Sequence, residues 1–269
     1  MIKTVRLIGT RSKRAPQELV LAEGLRVLED AVRSGCRIIA AIMSEDFSGT
    51  HREESLVRTL ESAGTRLYRT TDRLLRSLSE VVEPQGVIGL VTVPCLKLAD
   101  IEIRREALIL CLCGLQDPGN LGTLIRTAVA AGVSMVCTTP ATVSARNPKA
   151  VRSSAGAFFR AKVVERVTPE DILAFCRIHG LTVYRTDAGR GIEYHRADLA
   201  RPLALLLGNE SHGFRDEDWQ RMPALRIPLV GGVESLNVGT AGAVILFEAL
   251  RQRRIRHREA AAAQPAHPR

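Results

Sequence analysis

Three glycine-rich segments of this sequence combine residue types and spacings that suit a reaction centre. They are Asp117–Arg126, Leu207–Gly213 and Ile227–Asn237, and together they supply amides, carboxylates, hydroxyls and a guanidinium. Each is interpreted as a loop at the end of an apolar strand. In open α/β sheets, ligands bind in the crevice outside the carboxyl ends of the strands. The three segments are therefore the first candidates for a catalytic or binding site.

The first segment predicts a turn followed by a helix. Asn120 lies where an N-cap is expected, and Arg126 follows about one and a half turns into the helix. A capping asparagine and a surface arginine are the plain alternative, but this explains the polar side formed by Thr123, Arg126 and Thr127 less well. The segment has neither the G-x-G-x-x-G pattern nor the P-loop lysine, so an NAD or ATP site is not supported.

The second and third segments place polar groups beside small residues. Leu203–Leu207 is an apolar strand that runs into Gly208, Asn209 and Glu210. A carboxylate at a strand end is expected to face the crevice, and a surface turn is the alternative. In the third segment, Ser235–Asn237 caps a helix whose first turns are small residues. Small residues let a backbone or a flat ligand approach closely, and a tightly packed core helix is equally compatible with them.

Two regions are expected to position these segments. Residues 1–95 mix helix and strand signals and predict a small α/β domain, which a linker at 96–106 follows. Residues 107–256 alternate strand, loop and helix, and this order predicts an α/β domain with a doubly wound, mostly parallel sheet. Residues 257–269 are low in complexity and predict a disordered tail.

Hydrophobic periodicity predicts the individual elements. Helices are expected at Glu18–Ser34, Glu53–Ala63, Asp72–Ser79, Leu121–Ala131, Ala150–Phe158, Pro169–His179 and Leu236–Arg253. Strands are expected at Arg37–Met43, Arg66–Tyr68, Gly86–Val93, Ala107–Cys113, Val133–Thr138, Ala161–Val164, Leu181–Thr186 and Leu203–Leu207.

The charge balance favours a polyanionic partner. The net charge is +9 and the isoelectric point is about 9.7, values that point to nucleic acid first. Basic residues cluster near both ends of the chain: Lys3, Arg6, Arg11, Lys13 and Arg14, then Arg251, Arg253, Arg254, Arg256 and Arg258. Each cluster is either a phosphate contact or a solvated, frayed end. Aromatic residues are only 4% of the chain, which argues against a base-stacking platform.

The six cysteines predict core residues and no metal site. None is paired in C-x-x-C spacing, and Cys111 and Cys113 fall on one face of a predicted strand without partners for zinc. The sequence shows no long apolar span and no signal peptide, so no membrane association is expected. A reduced, cytoplasmic setting is the corresponding expectation.

The order of the three segments and their residue patterns resemble those of a known family. Asp117-Pro-Gly-Asn-Leu-Gly-Thr, Leu207-Gly-Asn-Glu and Ile227-Pro followed by Glu234-Ser-Leu-Asn-Val are similar to the three motifs of the SpoU (TrmH) branch of the SPOUT RNA methyltransferases. The likeness runs from about Ala107 to Arg254 and includes the stretch Arg152-Ser-Ser-Ala-Gly. Position 239 departs from the pattern, because it is glycine where serine is more usual.

The first region also resembles part of this family. Its Leu21–Gly24 and Leu28–Gly35 stretches are similar to the family's N-terminal RNA-binding domain. The resemblance implies transfer of a methyl group from S-adenosylmethionine to a ribose 2′-hydroxyl of structured RNA, with ribosomal RNA first and tRNA next. It also implies a homodimer and a deep trefoil knot in the second region, which is a rare exception to unknotted topology.

The resemblance implies roles for individual residues. The implied catalytic residues are Asn120, Arg126, Glu210, Ser235 and Asn237. The implied S-adenosylmethionine contacts are Leu207, Gly208, Asn209, Ile227, Leu236 and Asn237. Arg126 is expected to hold the 2′-oxygen or an adjacent phosphate, because a guanidinium stays protonated and makes a poor base. Arg152 is expected to serve the site of the partner subunit.

Two other functions are weighed against this one. A catalytically silent RNA-binding protein of the same fold would keep the basic ends but lose Asn120, Arg126, Glu210 or Asn237, and all four are present. A nucleotide hydrolase would need a P-loop or metal-binding carboxylates, and neither pattern occurs.

Overall fold

The computed structural model describes residues 1–10, 12, 14–79, 81, 83–208, 214 and 217–262. The helices in this part of the chain are α1 Ile2–Gly9, α2 Leu25–Arg33, α3 His51–Ser62, α4 Asp72–Leu78, α5 Pro118–Ala130, α6 Pro148–Ser153, α7 Pro169–Ile178, α8 Glu217–Gln220 and α9 Val238–Ala262. The strands are β1 Leu19–Glu23, β2 Arg37–Ser44, β3 Arg66–Thr70, β4 Val87–Thr92, β5 Leu108–Leu112, β6 Met135–Thr138, β7 Val163–Val164, β8 Thr182–Thr186, β9 Ile192–Glu193, β10 Leu203–Leu207 and β11 Ala224–Arg226.

Contacts group these elements into two compact units that are not continuous in sequence. The first unit contains Met1–Cys95, Leu121–Arg126 and Val143–Arg160. The second contains Leu96–Asn120, Thr127–Thr142 and the described residues from Ala161 onwards. The first unit thus includes the middle of α5 and all of α6, although both helices come from the later part of the chain.

The first unit is built on a four-stranded sheet in the order β1-β4-β2-β3. β4 runs antiparallel to both of its neighbours, and β2 and β3 are parallel. α1 and α4 pack onto this sheet through a core of apolar side chains that includes Val5, Ile8, Leu21, Leu75 and Ile88. Thr50 and Glu53 form a capping box that starts α3, and Thr71 caps α4.

The predicted helix Glu18–Ser34 is wrong in its first half. Leu19–Glu23 forms β1, and only Leu25–Arg33 is helical. Four consecutive residues of β1, from Val20 to Glu23, are buried, which suits a strand covered on both faces better than a helix with one apolar side. Gly24 separates the two elements with a φ of 96°, a conformation that costs glycine little.

The second unit is built on a seven-stranded sheet in the order β7-β6-β5-β10-β8-β11-β9. Every neighbouring pair is parallel, which confirms the predicted α/β class and its mostly parallel sheet. β10 lies between β5 and β8, and both of those strands precede it in sequence. The sheet order therefore reverses beside β10, and such reversals are where ligands bind in this class of fold.

Several boundaries in the second unit differ from the predictions. α5 begins at Pro118, and its N-cap is Asp117, whose Oδ2 accepts the Asn120 backbone N–H at 3.0 Å; the predicted cap at Asn120 is wrong. Proline at the first helical position and aspartate before it favour this earlier start. The two- and three-residue strands β9 and β11 were not predicted, because such short strands leave no periodicity to detect.

The last helix is longer than predicted. α9 runs to Ala262, so residues 257–262 of the predicted disordered tail are helical, and residues 263–269 lie outside the described chain. Arginine, glutamate and alanine dominate this stretch and are strong helix formers. The C-terminal basic cluster is therefore held on a helix. In the N-terminal cluster, Arg11 and Lys13 lie outside the described residues.

Three of these C-terminal arginines bind groups of the protein itself. Arg251 pairs with Glu248 at 2.7 Å, and Arg256 pairs with Asp198 at 3.2 Å. Arg253 donates to the backbone carbonyl oxygen of Leu199 at 3.2 Å. Its guanidinium also donates to the carbonyl oxygens of Glu106, Ala107 and Arg201. These residues precede β5 and β10, so Arg253 closes the amino-terminal edge of the sheet.

Candidate active site

A cavity of about 870 Å³ opens in the second unit at the carboxyl ends of β8, β10 and β11. Its volume lies within the range of roughly 300–1,000 Å³ that is usual for small-molecule sites. The cavity brings together seven of the predicted site residues: Asn120, Leu207, Gly208, Ile227, Ser235, Leu236 and Asn237. Residues more than a hundred positions apart in sequence thus share one wall, as the strand-end argument predicts.

Strand ends position the three aliphatic contacts. Leu207 is the last residue of β10 and is fully buried, while the partly exposed Gly208 begins the loop beyond it. Ile227 follows β11 directly, and Leu236 lies two residues before α9. A glycine at position 208 leaves its backbone accessible, because no side chain covers it. These positions therefore offer aliphatic surface and backbone groups side by side.

The two asparagines form a direct hydrogen bond. Asn237 Nδ2 donates to Asn120 Oδ1 at 3.0 Å. Asn237 Oδ1 accepts the backbone N–H of Gly239 at 2.9 Å and that of Thr240 at 3.3 Å, so the side chain also caps α9. The cap fixes which way the amide faces. It thereby joins the start of α9 to the start of α5 at the cavity wall.

The remaining predicted residues have different positions. Ser235 lines the cavity and is exposed. Arg126 is exposed on α5 and is grouped with the first unit; it is not among the described residues that line the cavity. It lies six residues after Asn120, which is roughly 9 Å along a helix axis. Asn209 and Glu210 lie outside the described residues.

The end of β8 contributes a charged wall that the sequence reasoning missed. Arg185, Thr186 and Asp187 line the cavity. Asp187 accepts hydrogen bonds from Arg185 Nη1 at 2.6 Å and from the backbone N–H groups of Gly189 and Arg190 at 3.0 and 2.9 Å. Burial acts to raise the pKa of Asp187, but these three donors outweigh it and hold the pKa below its usual value.

A signal for this wall was present in the sequence. β8 was predicted as a strand, and a polar Arg-Thr-Asp run stands at its carboxyl end. Ligands bind outside the carboxyl ends of parallel strands, so this run predicts the charged wall in the same way as the residues after β10 do.

The cavity's chemistry fits a ligand that is partly flat and apolar and partly charged. Leu225, Leu229, Val238, Ala241 and Ile245 supply aliphatic surface next to the polar residues. Among the described residues, no cluster of three or more histidine, cysteine, aspartate or glutamate side chains is placed to hold a metal ion. In the same part of the chain, no helix has the length and apolar character needed to cross a membrane.

Comparison with known proteins gives two family matches. Residues 107–247 match the SpoU rRNA methylase family, and residues 1–89 match the MRM3-like substrate binding domain. A similar curated protein is the Bacillus subtilis (strain 168) 23S rRNA (guanosine(2553)-2′-O)-methyltransferase RlmP. It is 31% identical over 91% of this chain and 94% of its own length.

Solved structures show the same similarity. The SpoU methyltransferase AviRb from Streptomyces viridochromogenes, in complex with AdoMet, aligns with a TM-score of 0.83 and 27% identity, over 94% of this chain and 98% of its own. The AdoMet-bound rRNA methyltransferase from Sinorhizobium meliloti aligns with a TM-score of 0.82 and 28% identity, over 93% of this chain and 94% of its own.

Proposed function

The chain belongs to the SpoU rRNA methylase family, and we propose that the 870 Å³ cavity is where it binds S-adenosylmethionine. The reaction is transfer of a methyl group from S-adenosylmethionine to a ribose 2′-hydroxyl of ribosomal RNA. The observation that carries the site assignment is the convergence of Asn120, Gly208, Ile227 and Leu236 on one cavity at a reversal of sheet order.

The cavity residues divide between cofactor binding and positioning. Leu207, Ile227 and Leu236 offer aliphatic surface to an adenine ring, and Gly208 offers its backbone; Asn209 is proposed to extend this contact. S-adenosylmethionine supplies a methyl group already activated by its sulfonium. The protein therefore has to hold the ribose oxygen at a near-attack distance of roughly 3–3.5 Å and assist loss of its proton.

Arg126 is proposed to hold the ribose 2′-oxygen or the neighbouring phosphate. Its guanidinium stays charged and offers a planar fork of donors, which suits binding an oxyanion better than accepting a proton. Asn120 and Asn237, joined by their 3.0 Å hydrogen bond, are proposed to fix the start of α5 and so the approach of Arg126. Ser235 and Glu210 are proposed to complete the polar side of the pocket.

The RNA substrate is proposed to be 23S ribosomal RNA. Two similar proteins, from B. subtilis and S. viridochromogenes, are named as 23S rRNA 2′-O-methyltransferases. The first unit, whose residues 1–89 match a substrate binding domain, is proposed to bind the RNA. Residues 96–106 are proposed as the linker between the RNA-binding domain at 1–95 and the methyltransferase domain at 107–256.

The chain is further proposed to act as a homodimer in the cytoplasm and to contain a trefoil knot. Insertion of β10 between β5 and β8 supports a threaded chain, since β10 enters the sheet between two strands that precede it in sequence. Within the described chain, none of the six cysteines forms a disulfide, in keeping with a reducing compartment. Measuring the mass of the protein in solution by light scattering tests the dimer.

Methyl transfer is tested directly with labelled S-adenosylmethionine and a protein-free 23S rRNA transcript, followed by mapping of the modified nucleotide. The expected product is one 2′-O-methylated ribose. Label on a base would overturn the reaction. Label on tRNA and none on the 23S transcript would overturn the proposed substrate and leave the reaction in place.

A further inference from the structure

A buried ion pair joins β1 of the first unit to α6. The Glu23 side chain is 7% exposed, and its Oε2 accepts a hydrogen bond from Arg152 Nη1 at 2.7 Å. The Ser79 hydroxyl donates to the other carboxylate oxygen of Glu23. A charge this deeply buried is tolerated only when it is paired and hydrogen-bonded. Arg152 thus has a partner within its own chain, and the role in the partner subunit's site that the resemblance implies stays a prediction.

Further contacts hold the α6 region against the same unit. Gly156 has a φ of 80°, and a Cβ there would lie 2.2 Å from Asp30 Oδ2, so the backbone is pressed against α2. Arg146 donates to the carbonyl oxygens of Val93 at 3.1 Å and Pro94 at 2.8 Å, just beyond β4. The segment Val143–Arg160 is therefore fixed to β1, α2 and the end of β4.

α6 in turn fixes α5. A Cβ at Gly122 would lie 2.3 Å from the carbonyl oxygen of Ala150 and 2.6 Å from Ser153 Cβ, so the two helices touch through backbone. Arg126 is four residues after Gly122, which places it one turn further along and about 40° around the helix. The helix side that carries Arg126 is therefore the side that α6 holds.

We propose that the Glu23–Arg152 ion pair is a positioning device for methyl transfer: by fixing α6 to β1, it sets where α5 holds Arg126. This rests on the proposed role of Arg126. The sequence of contacts runs from Glu23 to Arg152, along α6 to Ala150, and through Gly122 to Arg126, all within one compact unit. RNA held by the first unit would then meet an arginine already placed by that unit.

Breaking the Glu23–Arg152 ion pair is expected to lower the rate of methyl transfer. Neutralising one partner leaves the other charge buried and uncompensated, so α6 is expected to shift. A misplacement of about 1 Å in a positioned group costs on the order of 100-fold in rate. The cavity residues belong to the second unit, so binding of S-adenosylmethionine should persist.

The test compares Glu23→Gln with Glu29→Gln, which removes a different ion pair of the same unit, that of Glu29 with Arg52. Single-turnover methyl transfer is measured at saturating 23S rRNA transcript, with dissociation constants for S-adenosylmethionine and for the transcript measured separately. Glu23→Gln is expected to slow transfer roughly 10- to 100-fold with both dissociation constants within about threefold of the wild type. Glu29→Gln is expected to transfer at the wild-type rate.

A second pair of variants probes the other end of the contact path. Gly122→Ala introduces the Cβ that meets Ala150, and Gly9→Ala is the matched control, since nothing lies within 4 Å of a Cβ there. Gly122→Ala is expected to slow transfer and to leave S-adenosylmethionine binding intact. Arg152→Lys keeps the charge and is expected to recover part of the rate that Arg152→Met loses.

Wild-type transfer rates in Glu23→Gln and Gly122→Ala would overturn the positioning role while the proposed function stood. A loss of rate accompanied by a comparable loss of affinity for S-adenosylmethionine or for the transcript would also overturn it, because that pattern indicates general damage to the fold. Failure of the wild type itself to methylate the transcript would overturn the proposed function, and the positioning role with it.

Discussion

The seven-stranded sheet has one edge where its parallel strands begin and one where they end, and these two edges use their polar groups differently. At the amino-terminal edge, Arg253 binds four backbone carbonyl oxygens, and Gln252 accepts the Leu199 N–H at 2.8 Å. At the carboxyl edge, Asn120, Arg185 and Asn237 line an open cavity. At the amino-terminal edge the polar groups bind backbone of the fold, whereas at the carboxyl edge polar groups that also bond to other side chains line an open cavity. Substitutions at the two edges should therefore separate stability from activity.

Arg126→Ala carries the largest expected effect on the catalytic side. Loss of a group that holds the reacting oxygen typically lowers kcat by about 100- to 1,000-fold, or roughly 2.7–4 kcal/mol. Single-turnover methyl transfer measures the rate, and calorimetry measures the affinity for S-adenosylmethionine, which should persist. Arg177→Ala, at an exposed arginine of α7, is the control. Equal loss of rate and cofactor affinity would contradict the role.

Arg253→Ala should have the largest effect on stability. It leaves several backbone carbonyl oxygens without their charged donor, and a free-energy loss of about 2–4 kcal/mol is expected in urea unfolding. The rate per folded molecule should change less than twofold. Arg254→Ala, at the exposed neighbouring arginine, is the control. A slow but fully stable Arg253→Ala enzyme would break the contrast between the two edges.

Asn237 both caps α9 and lines the cavity, and two variants separate its effect on stability from its effect on cofactor binding. Asn237→Asp keeps an acceptor for the α9 backbone but puts an oxygen opposite Asn120 Oδ1 in place of the Nδ2 donor. Stability should stay within about 0.5 kcal/mol, while affinity for S-adenosylmethionine falls roughly tenfold, or about 1.4 kcal/mol. Asn237→Ala should lower both. Unchanged affinity in Asn237→Asp would show that Asn237 acts as a helix cap alone.

Asp187 should produce the smallest effect, and its sign depends on pH. Because its folded pKa lies below the 3.8 of the unfolded chain, the ionised carboxylate stabilises the fold fully above that value. The contribution is lost as pH falls below 3.8 and through the lower folded pKa. The difference in unfolding temperature between wild type and Asp187→Asn should therefore shrink from pH 5 to pH 3. A difference that stays constant over that range would contradict the assignment.

The sequence predicted features whose causes are local. β10 was predicted with its observed bounds, Leu203–Leu207, because five buried apolar residues in a row are typical of a central parallel strand. Asn237 was predicted as part of a helix cap for a similar reason, since capping depends on a side chain and the next three backbone groups. Convergence of three loops followed from one rule about strand ends.

Features that depend on distant contacts were missed. β1 was assigned to a helix because its alanine and leucine spacing suits either element, and pairing with β4 decides between them. β11 has three residues, and its Arg226 pairs with Glu193 of β9 at 2.7 Å, a contact that no local pattern reveals. The binding of Arg152 by Glu23 joins residues that are 129 positions apart.

The discontinuous first unit has a consequence for how the protein is made. Its sheet comes from the first 95 residues, but Leu121–Arg126 and Val143–Arg160 complete it. The counter-charge of Glu23, Arg152, lies 129 positions later in the chain and is synthesised roughly 6–26 s after Glu23 at typical elongation rates. A nascent chain halted before Arg152 should leave the Glu23 carboxylate without its ion-pair partner and accessible to chaperones, whereas one halted well after Arg160 should not.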